Sequence, residues 1–365
     1  MQQAAETWVQ VSVNALEAGT FYQGFTASVP LGVVVLACRN PHQGLAIVQL
    51  RDLDPEAPGA VPVRRMCRGT FSAGDHGNMQ VAFLQQDPRN MLAVAVDCPR
   101  GVGLLLVDVV TGTVEEKAWE LPRAYTLAMA AGPGRLAVKV DNDLFILRVE
   151  GLVLRAIQQI RCHAGVCTSL GWLGGSLLDL HMRLPDDWQN YREDGSNEDW
   201  VLARHTGPTF APPDDWQTPR LVAESPAVDD LLRTADVSLV VADGSVFALA
   251  GPTLLHVVPV GKWGMVVDAR PACEMPTDGA TYLFEQATFV PGHGMLVLVQ
   301  TDNGHTLRKL MRQTMSAART TWLAACVRGR GSHSQSDAVG QGAFPVVEPA
   351  RVLTDDHRAL GAGLA

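Results

Sequence analysis

The sequence predicts an all-β chain built from repeated antiparallel sheets, and three observations carry that expectation. Pro88-Arg89-Asn90 opens a turn, Met91 to Val96 forms an apolar strand, Gly103 to Val110 forms a second, and after Thr111-Gly112 a polar-edged third begins at Thr113-Val114-Glu115-Glu116. No helix intervenes, so this is a β-meander and not a βαβ unit. The pattern recurs: Leu92 and Leu136 hold equivalent places 44 residues apart, the usual length of a propeller blade. Finally, Phe289-x-Pro-Gly-x-Gly-Met-Leu matches Ala130-x-Gly-Pro-Gly-Arg-Leu in kind. The expected fold is therefore a single β-propeller of six blades. Seven is the alternative, because the intervals Val34 to Leu92 and Leu239 to Leu296 are long enough to hold further strands.

In chain order, Thr7 to Val13 alternates with period two and reads as a half-buried strand. In a closed ring such a terminal strand completes a blade begun at the other end, so it should pair with strands from residues of about 287 to 350. Gly32 to Ala37 and Gly44 to Leu50 are apolar on both sides, as strands sandwiched between neighbouring blades must be. Val61 to Met66 carries more charge, as an outer strand would. Met79 to Leu84 opens the second repeat. The third runs through Tyr125 to Ala130, Arg135 to Val140, Leu144 to Val149 and an outer strand from Leu152 to Ile160.

The fourth repeat begins with Thr168 to Leu173 and Gly175 to Leu180, and there the pattern breaks. Residues 183–229 are rich in Asp, Glu and Pro and read as a long inserted loop, with Asp199 to Arg204 returning as a strand. The fifth repeat is Val237 to Ala242, an Asp243-Gly244 turn, Ser245 to Leu249 and Thr253 to Val258. The sixth takes in Met265 to Ala269, Ala287 to Val290, Met295 to Gln300 and His305 to Leu310. Beyond it, Ser316 to Cys326 suits a short C-terminal helix with Ser316 as cap. The domain expectation is a propeller over 1–327 with the acidic insertion at about 183–229, then a Gly/Ser-rich linker and tail over 328–365.

Composition narrows the function classes. At 365 residues and 47% hydrophobic the chain can build a large core, and its net charge of −9 offers no basic face for phosphate. No nucleic-acid partner and no membrane partner is expected; a basic or neutral protein suits the charge better. The first residues lack a basic and then apolar leader, and no run reaches the ~18 apolar residues of a membrane span. Seven scattered cysteines are expected to stay reduced. These features read as a cytoplasmic or nuclear monomer.

The turn-strand-hairpin-strand repeat, with Val107-Asp108-x-x-Thr111-Gly112 at a hairpin before an outer strand, resembles β-propellers of the WD40 and NHL-like kind over roughly residues 7–312. No repeat carries the Trp-Asp pair or a recurrent Gly-His. The resemblance implies a fold and a bias towards protein–protein interaction, and it carries no catalytic residue across.

Candidate chemistry is sparse. Cys162-His163-x-x-x-Cys167, with His181 beyond, has metal-capable types without paired CxxC spacing, so no metal is expected there. Asp194 to Asp199 offers oxygens but lacks the Gly and Glu places of an EF-hand. No phosphate loop and no Gly-x-Ser-x-Gly occurs, so no cofactor and no catalytic residue is assigned. The string Pro-Asp-Asp-Trp-Gln occurs twice, placing Asp186, Asp187 and Trp188 28 residues before Asp214, Asp215 and Trp216. Carboxylates beside an indole can grip a basic side chain; equally, Pro and Asp can shape a turn that Trp pins down. The resulting expectation is a protein- or peptide-binding scaffold, not an enzyme, that uses its top face and this acidic loop. Deleting residues 185–217 should then leave the fold intact. The alternative is a six-bladed hydrolase or lactonase whose axial metal is reached by residues such as His76 and Asp236.

Overall fold

The computed structural model describes residues 7–313, apart from stretches at 54–59, 72–77, 85–90, 123–125, 151–152, 163–164, 184–198, 208–219, 224, 235–236, 261–265 and 278–282. Six blades follow one another. The first holds β2 (Tyr22–Ser28), β3 (Val33–Cys38), β4 (Leu45–Gln49) and β5 (Arg64–Met66), after β1 (Trp8–Ala15) has gone elsewhere. The second is β6 (Met79–Phe83), β7 (Met91–Cys98), β8 (Gly101–Asp108) and β9 (Val114–Leu121). The third is β10 (Leu127–Gly132), β11 (Arg135–Val140), β12 (Asp143–Glu150) and β13 (Val153–Arg161). The fourth comprises β14 (Gly165–Leu173), β15 (Ser176–Arg183), β16 (Asp199–Thr206) and β17 (Arg220–Ala223). The fifth has β18 (Val237–Ala242), β19 (Ser245–Ala250), β20 (Thr253–Val260) and β21 (Val266–Glu274). The sixth joins β22 (Leu283–Val290), β23 (Gly294–Thr301) and β24 (Gly304–Arg312) to β1.

Each blade is an antiparallel meander, and the inner strands touch in a closed ring, β2 to β6, β10, β14, β18, β22 and back to β2. The six-bladed expectation therefore holds. Closure is made by β1, which pairs antiparallel with β24 from Trp8↔Arg312 to Ala15↔Thr306. Local chemistry sets the hairpins: Asp243 and Gly244 both take positive φ, 47° and 79°, so the two-residue loop twists with its flanking strands.

Between blades the seams are apolar. The middle strands β3, β7 and β11 are buried almost throughout on both faces, because each face packs against a different neighbour. That is why these segments read as continuous Val/Leu/Ala runs instead of alternating ones.

Several expectations fail at element level. Of the Met265 to Ala269 stretch, the described residues Val266 to Ala269 belong to β21, the outer strand of the fifth blade, and not to the sixth. Within 183–229 the strand expected at Asp199 to Arg204 is present as β16, but it is the third strand of the fourth blade, with Trp200 and Leu202 buried. Removing 185–217 would take out that core strand, so the fold would not survive it. Within the same acidic region β17 leaves its own blade and runs parallel to β21, Arg220↔Val266 to Ala223↔Ala269, which zips the fourth and fifth blades into one eight-stranded sheet. The one α-helix among the described residues is α1 (Pro226–Thr234). It buries Val228 and Leu232 against the fourth and fifth blades, and the Leu232 carbonyl accepts a 2.6 Å hydrogen bond from Trp200 Nε1. The helix expected at Ser316 to Cys326 lies outside the described residues.

Candidate functional site

The inner strand of every blade is a sheet edge, so each has one row of backbone N–H and C=O groups with no strand to pair with. Six such edges converge on the axis and enclose a cavity of about 360 Å³. Side chains from one blade satisfy part of the next blade's edge. Gln286 Oε1 accepts from Phe25 N at 2.9 Å, Gln80 Nε2 donates to the Gln23 carbonyl at 3.5 Å, and Thr26 Oγ1 accepts from Phe83 N at 3.5 Å. Ser169 Oγ donates to the Leu239 carbonyl at 3.4 Å, and Trp172 Nε1 donates to the Ala130 carbonyl at 3.1 Å.

These links join strand start to strand start and strand end to strand end. The inner strands consequently run in one sense, and the cavity has two unlike ends. Gln23, Gln80 and Ser238 at strand starts, with Ser169 and Gln286 midway along theirs, line one end; Phe83, Trp172 and Phe289 line the other. Two glycines make room for this arrangement. A Cβ on Gly132 would stand 2.6 Å from the Trp172 ring, and a Cβ on Gly24 would stand 2.9 Å from Gln80 Oε1 and 3.4 Å from Gln286 Oε1. No carboxylate, imidazole or ammonium group belongs to the described lining.

A second polar cluster lies one layer out, buried in the apolar seam between the third and fourth blades. Lys139 on β11 places its Nζ 2.7 and 2.9 Å from the two Asp179 oxygens on β15, and both side chains are about 1% exposed. His181 Nδ1 stands 3.5 Å from the same carboxylate and His205 Nε2 3.8 Å. Burial by itself would raise the Asp179 carboxyl; the Lys139 ammonium, helped by the two imidazoles, reverses this and holds it far below the usual carboxylate range.

Cys162, Asp179 and His205 bring one donor atom each within 4.8 Å of one another, a spacing that three ligands of one metal ion would have. The Asp179 charge is already balanced by Lys139, however, so a divalent cation here would add charge to a neutral pair. The motif singled out in the sequence thus contributes Cys162 and His181 to one cluster, while Asp179, His205 and Lys139 come from strands with no motif at all. A carboxylate flanked by Leu178 and Leu180 inside an apolar strand was the available signal.

Burial pushes the Cys162 thiol up to about 11 from 9.0. A raised folded value means that the stabilising contribution is complete below the unfolded value and disappears as pH rises through the folded one. Thermal stability should therefore decline between about pH 9 and pH 11 by an amount that Cys162→Ala removes. Melting curves of both proteins across that range test this, and identical slopes would refute it.

The residues expected to grip a partner, Asp186, Asp187, Trp188, Asp214, Asp215 and Trp216, lie outside the described residues, as do His76 and Asp236.

No protein-family model matches the chain, and no curated protein does. Among solved structures it is similar to the glutaminyl cyclase of Myxococcus xanthus, with 12% identity and a TM-score of 0.35 over 86% of this chain and 100% of that one. It is also similar to a glucose dehydrogenase, with 12% identity and a TM-score of 0.49 over 82% of this chain and 99% of that one. Both are enzymes by name, so the expectation that the chain is not an enzyme finds no support in these comparisons. At such identity the likeness concerns the fold and transfers no activity.

Proposed function

We propose that the chain is a binding propeller whose axial cavity takes an extended segment of a partner polypeptide. What supports this reading is the lining: six sheet edges that pair with no further strand, five uncharged amide or hydroxyl side chains towards one end and three aromatic rings towards the other. A peptide matches such a surface because it too is uncharged along its backbone and alternates hydrogen-bond donors and acceptors with apolar groups. The cavity volume of about 360 Å³ is enough for a few side chains and not for a folded domain. Five described cysteines are free thiols, which supports a reducing, cytoplasmic setting.

Peptides selected from a random displayed library on the parent protein should bind Gln80→Ala and Gln286→Ala roughly 3- to 10-fold more weakly, the worth of one hydrogen bond each. Selected peptides that bind all three proteins equally would overturn the reading.

A further inference from the structure

We infer that the polar end of the axial cavity is a carboxamide-recognition site centred on Gly24. This rests on the binding role just proposed and goes further by naming the chemical group that is read.

Three observations assemble the site. Gln80 on β6 and Gln286 on β22 approach the inner strand of the first blade from opposite sides, and both side-chain oxygens lie within 3.4 Å of the point where a Gly24 Cβ would stand. The orientation of each amide is forced by its backbone partner. The Gln286 oxygen must face Phe25 N, a donor, and the Gln80 nitrogen must face the Gln23 carbonyl, an acceptor. Among the described residues this leaves Gln80 Oε1 to accept and Gln286 Nε2 to donate, on two amides that reach Gly24 from opposite blades. A ligand that offers a carbonyl oxygen and an adjacent N–H satisfies both at once, and a carboxamide is the simplest such group.

The same pair discriminates against ions. A carboxylate would set an oxygen against Gln80 Oε1, and an ammonium, having no acceptor, would leave the Gln286 Nε2 donor unsatisfied. Either ion would also leave water for a lining in which no described side chain carries a compensating charge, and an uncompensated buried ion is costly. Gly24 has no left-handed φ, so its backbone does not require glycine. What requires it is the space the two amides share.

The test uses four small probes on the full chain, read by saturation-transfer NMR: propionamide, N-methylacetamide, propionate and propylammonium. Propionamide as a primary carboxamide and N-methylacetamide as a backbone mimic separate the two sources of the group, an Asn or Gln side chain and a main-chain amide. The expected result is saturation of one or both amides and neither ion, with the amide signal lost in Gly24→Ala, whose melting temperature should stay near the parent's. Gln286→Glu should keep the bond to Phe25 N, exchange the donor for an acceptor and shift selectivity towards propylammonium. Saturation of propionate or propylammonium by the parent, abolished in Gly24→Ala, would overturn the carboxamide assignment and leave the cavity reading standing. No probe responding in a Gly24-dependent way would overturn the assignment, while the peptide selection would still judge the cavity by its own result.

Discussion

Lys139→Met should destabilise the protein by about 3–5 kcal/mol, the cost of stripping one partner from a buried ion pair. The reason is the setting. The Asp179 carboxylate lies in a seam formed by Leu170, Leu177, Leu144, Ile146 and Ile160, with His181 and His205 as its other polar neighbours. Without the ammonium, the two imidazoles are its remaining ion-pair neighbours among the described residues, and methionine fills the space without replacing the lost charge. The double variant Lys139→Met/Asp179→Leu should recover most of the loss, since an apolar pair suits an apolar seam.

The pH dependence separates this from simple loss of packing. In the parent, the Asp179 carboxyl is depressed, so its contribution is present above the unfolded value of about 3.9 and is lost only as pH falls well below it. In Lys139→Met the largest remaining influence is burial, which raises the carboxyl. Protonation then relieves the variant, and its deficit should narrow as pH falls from 7 towards about 4. Urea unfolding at three pH values measures both effects. A single variant as stable as the parent at pH 7, or a deficit that widens in acid, would refute the assignment.

How much of this was legible in the sequence depends on whether a feature is local. Hairpins such as that at Asp243-Gly244 and the apolar runs of β7 and β11 announce themselves within ten residues, so the blades could be laid out in order. The β17–β21 pairing could not be foreseen, because a parallel contact between outer strands of two blades leaves no periodic trace in either. In 183–229 the apolar core of Asp199 to Arg204 marks a strand, but the acidic and proline-rich flanks hide that Trp200 and Leu202 are integral to a blade. The cavity was hidden for a different reason. Gln23, Gln80 and Gln286 are unremarkable residues 57 and 206 positions apart, and only closure of the ring brings them around Gly24. Charged motifs, the strongest local signals of a site, use residue types that the described lining does not contain.

Closure is also where the second large effect should appear. A chain beginning at residue 16 loses β1, which runs along β24 and is the sixth blade's outer strand. Three kinds of interaction disappear with it. Trp8, 3% exposed, packs edge-on against Phe247 at 5.7 Å and Phe289 at 6.3 Å, bridging the fifth and sixth blades, and deleting a buried tryptophan alone costs about 3–5 kcal/mol. The main-chain ladder is lost, so β24 becomes a long edge with unpaired N–H and C=O groups. The tie to the first blade also goes, since Ala15 accepts from Val61 N at 2.9 Å and forms a bridge to Ala60. The Arg65–Glu17 ion pair at 2.6 Å remains in such a chain, but it is exposed on the Glu17 side and is worth little against these losses. The truncated protein should therefore melt well below the parent and self-associate through β24. A synthetic peptide of residues 7–15 added in excess should restore both the melting temperature and the monomer, because it replaces the missing strand without altering the rest of the chain. Light scattering and melting curves with and without the peptide decide the matter. A truncated chain that melts with the parent, or one that the peptide fails to rescue, would mean that the ring does not depend on β1.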